Sequence, residues 1–217
     1  MLVGSVWRPR GGRGCDADAP TAARAPWHAQ RMSDAVTSTP RETIRSLLRT
    51  RQVREFTDEP LTDAELDAIA DAGRWSGSSQ NQQPWRFIVI RDVATLRAIH
   101  ALGLPQTRPL KTATAAVAIV LPSQRERLVS DAYDDGRAAE RMLIAANMLG
   151  LGGGIAWIRF DVLDAVRGIL GLPDDRMVRT IVSLGHPTEA ALKPKSKPGQ
   201  ARLPRSEAVF EERWPTD

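Results

Sequence analysis

The chain has 217 residues, 42% of them hydrophobic and 26% charged, with a net charge of +4 and a single cysteine, Cys15. That is enough chain for one substantial domain, with no apolar run near the roughly 18 residues that a membrane helix needs, so a membrane-spanning segment is excluded. One cysteine excludes an internal disulfide framework and a multi-cysteine metal site, and it suits a reducing, cytoplasmic setting.

The basic pI of 9.8 does not indicate a nucleic-acid binder. Five arginines (8, 10, 13, 24 and 31) against two aspartates (16 and 18) put three of the four net positive charges before Met32. A nucleic-acid surface needs its basic face on the folded part. Residues 1–36, with scattered Gly and Pro and no apolar period, are expected to be a disordered basic extension, with Met32 as an alternative start. Residues 37–217 are expected to form a single domain.

Thr39, Pro40 and Glu42 supply an N-cap, an N1 proline and a capping-box acid, so the spacing predicts a first helix ending near Thr50, with Ile44, Leu47 and Leu48 on one face. The segment TRQVREF (50–56) follows, irregular, with Arg51 and Arg54 on either side of Val53. Thr62 with Glu65 forms a second capping box and Leu61 with Leu66 a hydrophobic staple. The helix they open presents Leu66, Ile69, Ala70 and Gly73. It delivers Trp75 to seven residues, Ser78 to Pro84, that carry hydroxyls, amides and one proline but no charge. By composition that turn is either a plain connector or a reader of hydrogen-bonding edges, the kind a flat heterocycle presents.

Trp85–Ile90 reads as a strand and Asp92 with Thr95 as the start of a helix carrying Leu96, Ile99 and Leu102. The basic loop QTRPLKTAT leads into Ala115–Leu121, whose unbroken apolar character predicts a buried central strand. A connector, Pro122 to Tyr133, precedes the longest helix, with Asp134 and Asp135 expected in its first turn and Ala138, Ala139, Met142, Leu143, Ala146 and Leu149 at helical spacing. Glycines in 150–154 are expected to end it and feed the strand IAWIRF (155–160). Asp161 and Asp164 begin a further helix with Val162, Val166, Ile169 and Leu170 inward, stopped at Gly171 and Pro173. Met177–Leu184 is the last core strand, closed by Gly185-His186-Pro187. Residues 190–217 hold too much Pro, Lys and Ser for a core element and are expected to wrap over a surface or a neighbouring subunit. The class is mixed α and β around a central sheet. Of the three histidines, His28 lies in the extension, His100 at a helix end and His186 in a turn, so no metal site is expected.

TRQVREFTDEP, WSGSSQNQQPWRFIVI, AANMLGLGGG, VSLGHP and ARLPRSEAVFEERW, in that order from about Thr39 to Trp214, resemble the nitroreductase family of FMN-dependent oxidoreductases. The most specific piece is S-x-x-N-x-Q-P-W, met by Ser78, Asn81, Gln83, Pro84 and Trp85. The resemblance implies an α+β subunit, a three-layer arrangement in which helices flank a mostly antiparallel sheet, and an intertwined homodimer with two FMN sites built from both chains. It implies FMN as cofactor, NADH or NADPH as co-substrate and a small-molecule electron acceptor, with no nucleic-acid or membrane partner. It points to Arg51, Gln52, Arg54 and Arg202 on the phosphate side, to Ser78 and Asn81 from the partner chain, to Gln83 as a further cofactor contact, to Gln106 beside the ring, and to a backbone donor near flavin N5 within Gly153 to Ile158, with Gly153, Gly154 and Ile158 named. The family often has an Arg where this chain has Thr50 and a Ser where it has Gln52, so one positive charge is missing. The chemistry would belong to the flavin, with no protein residue as nucleophile or base. The reading that follows is NAD(P)H-dependent reduction of nitroaromatics, quinones or similar acceptors. The alternatives are another FMN reaction on the same fold (dehydrogenation, dehalogenation or flavin breakdown) or a non-enzymatic flavin binder.

Overall fold

The computed structural model describes residues 39–194, Ser196 and residues 202–215. The expected extension 1–36 lies outside the described residues, as does part of the 190–217 segment. The elements are α1 (Pro40–Thr43), α2 (Arg45–Arg49), α3 (Asp63–Arg74), β1 (Arg86–Ile90), α4 (Val93–Leu102), β2 (Ala115–Pro122), α5 (Leu128–Met148), β3 (Gly152–Trp157), α6 (Leu163–Leu170), β4 (Arg176–Gly185), α7 (Glu189–Leu192) and α8 (Arg205–Ala208).

The four strands form one antiparallel sheet in the order β1-β2-β4-β3. Strand β2, apolar along its whole length and paired on both sides, supplies both faces of the core. Val117, Ile119 and Leu121 pack with Leu66 and Ile69 of α3 and Met142 and Leu143 of α5. Ala116, Ala118 and Val120 turn to the other face and pack with Leu96 and Ile99 of α4 and Val166 of α6. The period-2 alternation of a strand thus produces three layers, helices on each side of the sheet. The register of β2 against β4 slips between Ile119 and Val120, opposite Thr180 and Val178, so Arg179 is the extra residue of a bulge that re-aims its side chain.

Helix starts follow their sequence signals where a cap is present. Thr62 and Glu65 make a reciprocal capping box on α3, and the Asp92 carboxylate accepts from the N–H groups of Ala94 and Thr95, each cap being worth about 1 kcal/mol. The first helix differs from expectation: it is two short helices broken at Ile44 (φ −94, ψ 15), and Ile44, Leu47 and Leu48 are about half exposed. Helix α5 begins at Leu128, six residues before the expected start. Its entry is made by a 3-10 turn at Arg125–Arg127, so the acids Asp134 and Asp135 lie in its second turn and serve tertiary contacts. Strand β3 begins inside the glycine run, at Gly152, because pairing with β4 extends from Gly152–Gly185 to Trp157–Thr180. Gly171 closes α6 in the left-handed region at φ 62, where glycine carries no Cβ penalty.

Candidate functional site

The segment between α2 and α3 is laid along the outer side of β3. Val53 N–H donates to the Gly153 carbonyl at 2.7 Å, and Phe56, buried, bridges to Pro187 while its N–H donates to Thr112 Oγ1 at 3.1 Å. Gly154 makes this approach possible: a Cβ there would stand 2.3 Å from the Val53 carbonyl oxygen. With Val53 turned inward, Arg51, Gln52 and Arg54 are turned outward. The Arg51 guanidinium donates to the carbonyls of Ala191 and Leu192 at the end of α7, where unpaired carbonyls attract a cation. The Gln52 carboxamide oxygen accepts from both Arg54 (3.0 Å) and the Ile155 N–H (3.3 Å), linking β3 to the arginine segment.

A cavity of about 390 Å³ opens on this segment, lined among others by Arg49, Thr50, Arg51, Gln52, Ser196 and Arg202. Its described lining residues include three arginines and no carboxylate, a donor set for a phosphate monoester. Arg51, Gln52 and Arg202 are thus brought together on one cavity. Arg49 was not foreseen: it ends α2 one position before Thr50 and supplies the third cation that Thr50 lacks. The Thr50 hydroxyl itself donates to the Ser46 carbonyl at 3.0 Å. The signal for Arg49 was present in a helix ending in Arg next to Thr-Arg, but only the bend after α2 shows that it faces the same cavity.

Arg54 lies elsewhere. It lines a second cavity, of about 330 Å³, with Arg108, Lys111, Thr112 and Thr188. Glu55, the one acid among its described lining residues, pairs with Arg108 at 3.1 Å. Arg108 and Lys111 belong to the basic loop, held in a 3-10 turn by buried Pro109 and Leu110. Gln106, just before it, is half-buried and its carboxamide oxygen has no hydrogen-bond partner; it lines neither cavity.

Along β3, Gly153 and Gly154 are buried, as is Ile158, whose N–H donates to the Arg179 carbonyl at 2.8 Å. Ile158 is thus tied to β4. Ile155 points its N–H away from β4 toward Gln52, and strand parity gives Trp157, half-exposed, the same outward side.

The polar turn has a definite shape. Ser79–Asn81 form a 3-10 turn, and Gln80, Asn81 and Gln83 all adopt left-handed backbone, at φ 51, 54 and 48. Such residues cost roughly 1 kcal/mol or more each and cluster where function over-determines the backbone. Inside the turn, Gln83 N–H donates to Ser78 Oγ at 2.9 Å and the Gln83 carboxamide to Asn81 Oδ1 at 3.0 Å, while buried Pro84 and Trp85 fix its exit. Ser78, Asn81 and Gln83 line neither cavity of their own chain.

Three acids of α5 are buried. Asp134 receives the Ser79 N–H, Asp131 pairs with Arg127 at 3.3 Å, and Asp135 accepts from the Thr180 hydroxyl at 2.6 Å. Burial pushes the Asp135 carboxyl up from 3.8 to about 6, against the downward pull of Thr180 and the nearby Arg179. The bulge sets the Arg179 guanidinium 3.6 Å from the Phe160 ring centre. Among the described residues no group of three or more His, Cys, Asp or Glu stands together as a metal site, and no helix is long and apolar enough to cross a membrane.

A family profile described as Nitroreductase family matches residues 47–119, from α2 through the central strand. An oxygen-insensitive NADPH nitroreductase of Salmonella typhimurium is 32% identical over 185 residues, covering 79% of this chain and 74% of that one. An Archaeoglobus fulgidus protein with the provisional name NADH dehydrogenase/NAD(P)H nitroreductase is 30% identical over 155 residues, 68% of this chain and 87% of that one. Among solved structures, a Desulfovibrio desulfuricans protein crystallised in complex with FMN superposes with a TM-score of 0.66 at 27% identity, covering 82% of this chain and 99% of that one. With the three-layer antiparallel fold and the arginine-lined cavity beside β3, these likenesses establish that the chain belongs to the nitroreductase family.

Proposed function

We propose that the protein is an FMN-dependent oxidoreductase that takes electrons from NADH or NADPH and passes them to nitroaromatic, quinone or similar electron-poor acceptors, the two substrates using one site in turn. The observation that carries this reading is the cavity of about 390 Å³ lined by Arg49, Arg51 and Arg202, with no carboxylate among its described lining residues. These residues would hold the FMN phosphate by charge-assisted bonds. The neighbouring cavity, with Arg54, Arg108 and Lys111, suits the electron-rich pyrimidine edge of the ring. The outward N–H groups of Ile155 and Trp157 on β3 are the candidates for the bond to the ring's reactive nitrogen. When bound, FMN supplies the hydride chemistry, and the protein supplies binding, orientation and electrostatics.

The site is completed by a second copy of the chain. Ile44, Leu47 and Leu48 on α1–α2 are 47 to 52% exposed, and Leu203, Phe210 and Trp214 of the C-terminal segment 37 to 78% exposed. Apolar surface of that extent calls for a cover, and in a homodimer the turn bearing Ser78 and Asn81 would reach the partner's cofactor. Only residues 123–127 join β2 to α5, too few to build a helical roof, so acceptor use should be broad.

The test is direct. Purified protein should be yellow, release FMN on denaturation, and bleach on anaerobic mixing with NADH or NADPH, after which nitro compounds and quinones restore the colour. Bleaching followed by reoxidation with a single acceptor of the panel refutes the broad-acceptor reading. A yellow protein that neither nucleotide bleaches refutes the electron-transfer cycle.

A further inference from the structure

We propose that Asp134 is a positioning residue: from within α5 it holds the Ser78–Gln83 turn in the left-handed shape that contacts the cofactor, without itself touching the cofactor. The proposal rests on the FMN reading above.

Of the four non-glycine residues with left-handed backbone among those described, three are Gln80, Asn81 and Gln83. Conformations of this kind persist only where the surroundings impose them. The bonds from Gln83 to Ser78 and to Asn81, and from Gln82 to Gln80 at 3.3 Å, all lie within the turn. They tie the turn to itself; buried Pro84 and Trp85 and the bond from Arg86 of β1 to the Gln83 carbonyl at 3.1 Å hold its exit, and its entry is left open. Asp134 does what they cannot. It is 55 positions away in sequence, its side chain is 1% exposed, and both of its oxygens face the Ser79 N–H, at 3.3 and 3.2 Å.

Nothing in α5 itself calls for an acid there. Asp134 is the seventh residue of the helix and caps nothing. Its counter-charge is loose: Arg137 stands 3.5 Å away and is 59% exposed. A carboxylate taken out of water with so weak an ion pair is costly, so its bond to the turn is the interaction that accounts for it. The next residue, Asp135, bonds Thr180 of β4 at 2.6 Å. Helix α5 thus fixes the turn and the sheet in one frame, and the placement of Asn81 against a ligand follows the placement of α5.

The test uses full-length protein and three readouts: FMN titration of the apoprotein, amide hydrogen exchange of the peptide covering residues 76–85 in flavin-free protein, and thermal melting. Loss of one charge-assisted bond predicts an FMN Kd raised roughly 10- to 100-fold in Asp134→Ala, and about 3- to 10-fold in Asp134→Asn, which keeps an acceptor oxygen without the charge. Exchange should quicken in the turn and stay unchanged in α5 and the sheet. In an Asn81→Ala background, Asp134→Ala should add little further loss, since both act through one contact. Faster exchange in the turn with wild-type FMN affinity overturns the proposal. So does a uniform loss of melting temperature without a local change, or full additivity with Asn81→Ala. If Asp134→Ala does not fold, Asp134→Asn decides, unchanged affinity and exchange counting against. A wild-type apoprotein that takes up no FMN would instead refute the cofactor reading, visible before any variant is made, while the exchange arm still reads whether Asp134 anchors the turn.

Discussion

Replacing Gly154 with alanine tests the contact on which the arginine segment depends. The added Cβ would stand 2.3 Å from the Val53 carbonyl oxygen and 3.2 Å from Ser183 Oγ, where ordinary contact begins at 3.4 Å. The chain at Val53 must therefore retreat by about 1 Å. That retreat breaks the 2.7 Å bond from Val53 N–H to the Gly153 carbonyl, a loss of about 1 kcal/mol, and overpacking adds about 1–3 kcal/mol. Where no clash exists, Gly→Ala stabilises by about 0.4–1 kcal/mol through the unfolded chain, so the sign of the change decides the matter. We expect a net destabilisation of about 2–3 kcal/mol in urea unfolding of the apoprotein. The retreat also carries Arg51 and Gln52 away from the cavity, and misplacement on the order of 1 Å can cost about 100-fold in function, so FMN titration should show a substantial loss of affinity. A Gly154→Ala protein as stable as wild type, with wild-type FMN affinity, would refute the packing of residues 51–54 on β3.

Further expectations concern separate parts of the molecule. Asp135 has its carboxyl raised from 3.8 to about 6, so the folded state holds this proton more tightly than the unfolded chain. The associated stability is fully present below about pH 3.8 and is lost as pH rises through 6, by at most about 3 kcal/mol. Asp135→Asn, which can still accept from Thr180, should therefore unfold at higher urea than wild type at pH 7.5, with the gap narrowing at pH 5; a gap that does not depend on pH would refute this. Arg49→Ala should weaken FMN about 10-fold while leaving riboflavin, which has no phosphate, unaffected; equal losses for both would place Arg49 outside the phosphate site. Thr62→Ala removes the hydroxyl that accepts from the Glu65 N–H at the start of α3, leaving the bond from the Thr62 N–H to the Glu65 carboxylate, and should cost about 1 kcal/mol in urea unfolding, with no effect on flavin affinity.

The layers of the fold were legible because their signals are local. Thr62 with Glu65, Asp92, and the unbroken apolar run of β2 each name an element without reference to any other. The start of α5 was misplaced because Asp134 and Asp135 are residue types that favour helix beginnings, whereas here each is bound across the fold, to Ser79 and Thr180. Sequence spacing carries no record of such partners. The same holds for the site. Arg51, Gln52 and Arg202 could be picked out by motif, and the structure places all three on one cavity. Arg54 parts from Arg51 because Val53, the residue that faces inward next to it, presses against Gly154. Arg49 joins the cavity because α2 ends where it does. Both outcomes follow from how residues 49–54 bend over β3, which long-range packing decides.

That packing has a consequence for how the protein behaves towards its own kind. Strand β3 is the last in the sheet, and its sequence GGGIAW is uncharged and apolar. Left bare, such an edge is a template on which another chain can add a strand. Here the Gly153 carbonyl is taken by Val53, and the Ile155 N–H by Gln52. The stretch that carries Arg51 and Arg54 is thus also the stretch that blocks strand addition at this edge of the sheet, so lifting it away would bare a ladder of backbone groups to a second chain.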